Sequence, residues 1–148
     1  PVVPYQPILE MFLEHCREMN NRFLIIDPPK DLHDKPLRRW VRKLRSGKAT
    51  EFASYGAIYY PWLKAGDELF PPSGAMAGVF ARMEKEHDPF GVAWSPANTE
   101  VQGVTHPSVE LSWRESEDLT DAGINPILVQ PARGVVVWGA RTLSRDPR

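Results

Sequence analysis

The sequence predicts an α/β fold: a largely parallel or mixed sheet flanked by helices, with an antiparallel hairpin near the C-terminal end. Two observations predict it. Segments of helical periodicity alternate with short, continuously apolar runs through residues 7–87, the pattern of crossover units on a parallel sheet. Two β-rich runs, 127–130 and 135–138, are then separated only by Pro131-Ala132-Arg133-Gly134, which reads as a hairpin loop.

The first helix is expected over residues 7–20. Pro7 suits a first helical position, and Ile8, Leu9, Phe12, Leu13, Cys16 and Met19 fall on one face. Residues 22–26 read as a buried strand, ended by Asp27-Pro28-Pro29, because proline lacks a donor and restricts its predecessor. Asp34 or Lys35 opens a second helix with Pro36 in its first turn and Leu37, Trp40, Val41 and Leu44 as its apolar stripe. Ser46-Gly47 should end it, with Gly47 left-handed. Residues 55–60 read as a second buried strand, closed by Pro61.

Pro71-Pro72-Ser73-Gly74 leads into a third helix reaching about His87, with Ser73 as its N-cap. Met76, Phe80 and Met83 form its stripe, and the small residues Ala77, Gly78 and Ala81 would let it approach the sheet closely. Residues 88–107 are loop-like and 109–113 suggest a short strand. A short helix over 116–122 would be capped by Ser116, with Glu117 and Asp118 at its positive end and Gly123 after it.

The 148 residues fit one domain. Hydrophobic content of 42% and charged content of 25% allow a packed core. A net charge of -1 gives no global attraction to nucleic acid or anionic membrane. No apolar run approaches the roughly 18–20 residues of a membrane span, and no signal-peptide pattern is present. The single cysteine, Cys16, excludes an internal disulfide. Fifteen prolines make many connections stiff, and five tryptophans supply much large apolar surface. The chain starts at Pro1 without an initiator methionine, as expected of a fragment.

Catalytic chemistry finds little support. Ser73-Gly74-Ala75-Met76-Ala77 faintly resembles the nucleophile turn of subtilisins, but no matching aspartate and histidine motifs accompany it, and no G-x-S-x-G elbow occurs. His15, His33, His87 and His106 are scattered, without H-x-x-x-H or C-x-x-C spacing. His87-Asp88 reads as an exposed helix end, and Cys16 as a buried thiol. Phosphate-loop motifs are absent, and Ser46-Gly47-Lys48 follows a helix where such a loop would precede one. Six of the 18 basic residues, Arg38, Arg39, Arg42, Lys43, Arg45 and Lys48, cluster on or just after the second helix. They read as a solvated face or a contact with an acidic neighbour. No aromatic stacking platform is interleaved to make a nucleic-acid face, since Trp40 belongs to the apolar stripe.

Five motifs then appear in order: Tyr60-Pro61-Trp62-Leu63; Pro71-Pro72-Ser73-Gly74 running on to Arg82; Gly91-Val92-Ala93-Trp94-Ser95-Pro96-Ala97-Asn98; Ala122-Gly123-Ile124-Asn125-Pro126-Ile127; and Gly134-Val135-Val136-Val137-Trp138-Gly139-Ala140-Arg141-Thr142-Leu143-Ser144. Each is weak alone, but in this order the set closely resembles tail sheath proteins of contractile phages and phage-derived injection machines. The resemblance covers about residues 55–148. Many relatives carry a lysine-alanine pair where Trp94-Ser95 precedes Pro96 here.

The resemblance implies a subtilisin-like layered core without the protease site. Residues 1–140 would be the sheath core, and 141–148 the start of a linker to a C-terminal, tube-facing domain outside this chain. Linking arms at both ends would also be missing. The implied role is a structural subunit, not an enzyme, that polymerises around an inner tube and contracts by repacking. The implied partners are other copies of itself, the inner tail tube protein, and baseplate and terminator proteins. No cofactor, metal, nucleic acid or membrane is implied. The implied location is a virion tail or injection-particle sheath assembled in the bacterial cytoplasm.

On the same resemblance, Pro61, Trp62, Pro72, Ser73, Gly74, Gly78, Pro96, Ala97, Asn98, Asn125, Gly134, Trp138, Gly139, Arg141 and Thr142 are expected to be structural. Trp138 would pack the last strand into the core. Arg141 would pair with a carboxylate at the junction with the missing domain. Gly74, Gly78, Gly134 and Gly139 would permit tight backbone geometry. Arg38, Arg39, Arg42, Lys43 and Arg45 would contact a neighbouring subunit. Two other readings stay open: a degenerate or active α/β hydrolase-like domain, and a nucleic-acid-binding module using the basic helix over residues 38–48.

Overall fold

The computed structural model of the protein describes residues 5–87 and 95–144. In chain order the elements are α1 (Tyr5–Met19), β1 (Leu24–Ile26), α2 (Asp34–Leu44), a 3-10 helix (Lys48–Tyr55), β2 (Gly56–Tyr60), β3 (Leu63–Ala65), β4 (Glu68–Phe70), α3 (Pro72–His87), β5 (His106–Pro107), α4 (Trp113–Asp121), β6 (Ile124–Gln130) and β7 (Gly134–Val137). The main sheet has the order β1-β2-β6-β7. β1 and β6 both run parallel to β2, and β7 returns antiparallel to β6. This is the predicted α/β class, including the terminal hairpin. Gly134, at φ +79, supplies the left-handed conformation that closes the hairpin.

Alternation along the strands builds two cores. On β2, Ile58 and Tyr60 join α1, α2, the 3-10 helix and α4 on one face. Ala57 and Tyr59 join α3 on the other. All five residues of β2 are buried, so it reads as one apolar run. The 3-10 helix follows the same logic at a period of three: Ala49 and Phe52 turn inward, and the Arg17 guanidinium lies 4.4 Å over the Phe52 ring.

A small second sheet has the order β4-β3-β5. Gly66, at φ +60, turns the tight β3–β4 hairpin. The outer edge of β7 is not open: Val137 exchanges hydrogen bonds with Asn98 and Thr99, and Val101 N–H donates to the Val135 carbonyl.

Several expected details change. α2 ends at Leu44 with Arg45 as its cap, and Gly47 has φ -100, not a left-handed value. The strand expected at 109–113 is absent, because Ser112 and Glu115 form a capping box that starts α4 at Trp113. Ser116, expected as the cap, instead lies fully buried inside that helix and donates to the Trp113 carbonyl. β6 begins at Ile124, three residues earlier than expected, with Pro126 inside the strand. α3 packs through Met76, Val79 and Met83, while Ala77, Gly78 and Ala81 are exposed. Its small-residue face therefore points away from the sheet. A Cβ at Gly74 or Gly78 would meet nothing within 4 Å, so neither position needs glycine for space.

Candidate functional site

Ser73, in the turn that faintly resembles that of subtilisins, stands in the first turn of α3. Its Oγ donates to Asp27 Oδ2 at 2.6 Å, and its backbone N–H donates to Asp27 Oδ1 at 2.8 Å. Asp27 stands just beyond β1 and places a carboxylate at the N-terminus of α3, where unpaired N–H groups and the helix dipole favour negative charge. The cap of α3 is thus a residue 46 positions away, not the hydroxyl of Ser73 itself. The histidines have other partners. His33 Nδ1 shares a hydrogen bond with Tyr60 Oη at 2.8 Å, and His15 Nε2 lies 2.6 Å from Arg22. Burial, then the charges of Glu115 and Asp34, hold the Tyr60 phenol above its ordinary range, so it stays protonated. Among the described residues, no group of three or more His, Cys, Asp or Glu could hold a metal ion, and no helix is long and apolar enough to cross a membrane.

The family-motif residues gather at three junctions. Asn125, fully buried, is the centre of the first. Its Nδ2 donates to the carbonyls of Ile58 at 3.0 Å and Arg141 at 2.7 Å, and its Oδ1 accepts from Arg141 N–H at 2.7 Å. Gly139 fits beside it because a Cβ there would lie 2.7 Å from Asn125 Oδ1 and 3.1 Å from Asn125 Cα. The segment continues through Thr142 to Leu143, whose N–H donates to the Gly56 carbonyl at 2.9 Å. One buried amide therefore fastens the C-terminal segment across β6 and β2.

The second junction holds Pro61, Trp62 and Pro72 near Asp27. Trp62 Nε1 donates to the Pro28 carbonyl at 2.9 Å, tying the end of β2 to the loop after β1. At the third, Pro96, Ala97 and Asn98 form a turn, with Asn98 at φ +64, that lays residues 98–101 along β7. Gly91, Val92, Ala93 and Trp94 of the same motif lie outside the described residues, as do Asp88 and residues 145–148.

One expected role comes out differently. Trp138 is half buried and stacks edge-on against the exposed Trp113 at 4.8 Å, outside both cores. Arg141 has an exposed side chain, and its backbone makes the contacts with Asn125. Among the described residues the ion pairs belong to Arg38, with Asp34 at 2.7 Å and Asp118 at 3.8 Å.

The basic helix divides into two groups. Arg38 and Arg45 are half buried and face α4. Arg45 donates to the carbonyls of Ala122 at 2.7 Å and Ser144 at 3.0 Å. Gly123, at φ +82, has no room for a Cβ, which would sit 2.5 Å from Arg45 Nη1. Arg39, Arg42 and Lys43 are exposed. A cleft of about 480 Å³ separates α2 from α4, lined by Arg38, Arg42, Arg45, Asp118 and Asp121.

Sequence reasoning missed one surface. Ile8, Met11, Phe12 and Met19 of α1 are 43–59% exposed, although three of them fall on the same expected apolar face as the buried Leu9, Leu13 and Cys16. The signal was present: the apolar arc of α1 is far wider than the roughly 100° stripe a surface helix needs.

A family described as phage tail sheath protein central domain matches residues 6–143. Among solved structures, the chain is similar to a chain of the six-fold symmetrised baseplate of the anti-feeding prophage, with 28% identity and TM-score 0.74, over 97% of this chain and 36% of that one. It is similar to the helical sheath of the anti-feeding prophage in its contracted state, with 27% identity and TM-score 0.72, over 97% of this chain and 37% of that one. It is also similar to the contracted sheath complex of the extracellular contractile injection system PVC, with 30% identity and TM-score 0.66, over 84% of this chain and 34% of that one. The chain thus spans little more than a third of the length of these structures. No curated protein matches it.

Proposed function

The chain belongs to the phage tail sheath protein central-domain family, and on that premise we propose that it is the rigid body of a contractile sheath subunit. Copies polymerise around an inner tube and, when triggered, repack against one another into a shorter, wider lattice of lower free energy. That change drives the tube through a target envelope without nucleotide hydrolysis. The observation that supports this reading is the match along nearly the whole chain to a contracted helical sheath.

The mechanism asks the domain to move as a unit, because a soft body would dissipate the motion. Two cores on opposite faces of one sheet, with Asn125 and Asp27 fastening distant segments, suit that demand. The serine–carboxylate contact caps a helix, which supports a structural role over a catalytic one. In this reading residues 1–140 are a subtilisin-like core and residues 141–148 lead toward a tube-facing domain. The inner tube, baseplate and terminator proteins are its partners in the particle, and assembly takes place in the bacterial cytoplasm. The exposed members of the basic helix, Arg39, Arg42 and Lys43, meet an acidic surface of a neighbouring subunit.

The test is to express the full-length protein that contains this chain and image it by electron microscopy. Hollow, striated tubes are expected. A folded full-length protein that stays monomeric across concentration and salt overturns the proposal. Selective labelling of Ser73 by a serine-reactive probe overturns its non-enzymatic part.

A further inference from the structure

We propose that the open flank of α1 is the seat for α2 of a neighbouring copy, so that copies join head to tail through these two helices. The inference rests on the sheath reading and names the acidic surface that the basic helix meets.

α1 is apolar over about twice the arc it buries. Leu9, Leu13 and Cys16 enter the core. Ile8, Phe12 and Met19 follow one another at i, i+4 and i+11 along the adjoining flank, with Met11 beside them, at 46, 48, 43 and 59% exposure respectively. The opposite flank is closed within the chain, by Arg17 over Phe52 and by Gln6 Nε2 donating to the Lys43 carbonyl. The four open side chains leave roughly 400 Å² of apolar surface, the scale at which a patch marks an interaction site.

Charge identifies the occupant. α1 carries Glu10, Glu14 and Glu18 against Arg17 and His15, the latter in contact with Arg22 just beyond the helix. Glu14 and Glu18 are exposed on the solvent side of the apolar flank, beside Met11, and among the described residues neither forms an ion pair. α2 has the opposite balance, with Lys35, Arg38, Arg39, Arg42 and Lys43 against Asp34. Lys35, Arg39, Arg42 and Lys43 share one exposed face at i, i+4, i+7 and i+8. Arginine stems lie well on apolar surface, a guanidinium stacks on a phenyl ring such as that of Phe12, and the charged heads reach the glutamates.

Two copies meeting α1 to α1 would instead bring Glu14 and Glu18 against their own equivalents, which like-charge repulsion opposes. Unlike patches joined head to tail propagate into rings or helical arrays and do not give a self-complementary dimer. The apolar patch is about half of one partner's share in a standard interface, so a single contact is weak and a lattice of them is needed.

The experiment uses the full-length protein, in tubes and before assembly. Glu14→Lys with Glu18→Lys should cut tube yield at least about tenfold, one decade in association constant, with the melting temperature retained. Arg39→Glu with Arg42→Glu should do the same, and the chain carrying all four changes should recover assembly. Phe12→Cys chains mixed with Arg39→Cys chains should form intermolecular disulfides in tubes and not in unassembled protein; the buried Cys16 adds little background.

A wild-type protein that makes no tubes overturns the sheath reading itself. Wild-type tubes together with unimpaired charge-reversed chains, or a four-change chain that is not rescued, overturn only this inference. So does a Phe12→Cys thiol that is shielded from reagent in unassembled protein, because another part of the same chain would then cover the flank.

Discussion

Replacing Asn125 with alanine tests how the C-terminal segment is held. The change removes three hydrogen bonds, two donated by Nδ2 and one accepted by Oδ1. At about 1 kcal/mol net for each, the loss is about 3 kcal/mol. For a chain of 148 residues, 1 kcal/mol moves the melting temperature by about 2–4 °C, so the expected drop is about 6–12 °C. Thermal unfolding followed by circular dichroism reads it, with a urea series to check that the slope is unchanged. Asn125→Asp sharpens the test. The new oxygen would face the carbonyls of Ile58 and Arg141, so at pH 7 this variant should be at least as unstable as Asn125→Ala. Those carbonyls favour the protonated acid, which raises the folded pKa above the unfolded one. The penalty is therefore largest above the folded pKa and shrinks as pH falls through it. A melting temperature for Asn125→Ala within about 2 °C of wild type, less than 1 kcal/mol by the same scaling, refutes the reasoning. So does an aspartate variant milder than the alanine variant at neutral pH.

Three further outcomes follow from the geometry. Gly74→Ala and Gly78→Ala, with open space at both Cβ positions, should each stabilise the fold by about 0.5–1 kcal/mol; lower melting temperatures would mean that the outer face of α3 is not open. Ser73→Ala should cost about 1 kcal/mol by removing the hydroxyl bond to Asp27, while Asp27→Ala should cost more because the α3 N-terminus also loses its acceptor; equal melting temperatures for the two variants would count against the carboxylate as the cap. The Ser112 hydrogen bonds lower the Glu115 pKa, so the capping box contributes above the unfolded pKa and is lost as pH falls through the folded value. Glu115→Gln should therefore flatten stability below about pH 4.3, the ordinary glutamate value, and an unchanged acid limb in a pH series of melting curves would contradict it.

The main sheet was legible because its strands are buried on both faces and read as unbroken apolar runs, as at Ala57-Ile58-Tyr59-Tyr60. The small β3–β4 hairpin was missed because three-residue strands show no period, although Gly66-Asp67 is a recognised two-residue turn signal. β6 was read as starting late because Asn125-Pro126 looks like an interruption. Asn125 is instead a polar residue whose partners come from Ile58 and Arg141, which no local pattern shows. The Asp27 cap was invisible for the same reason: helix-start signals are local, and its acceptor comes from another strand. Ser116 was mistaken for a cap because the stronger box, Ser112 with Glu115, lay four residues upstream in what looked like a strand. The junction residues were marked by the family motifs, and the close approach at Gly139 was expected, but the hydrogen bonds of Asn125 and Trp62 were not; the open flank of α1 was hidden because periodicity shows an apolar face without showing what covers it.

The segment lying along β7 has a consequence for any array built from this domain. With Asn98, Thr99 and Val101 already occupying that edge, no second molecule can zip onto it. A neighbour on that side cannot pair with β7 and meets instead the covering segment and the side chains it presents. Such contacts can be released and remade one at a time during a large displacement, whereas a shared backbone ladder would have to tear as a whole.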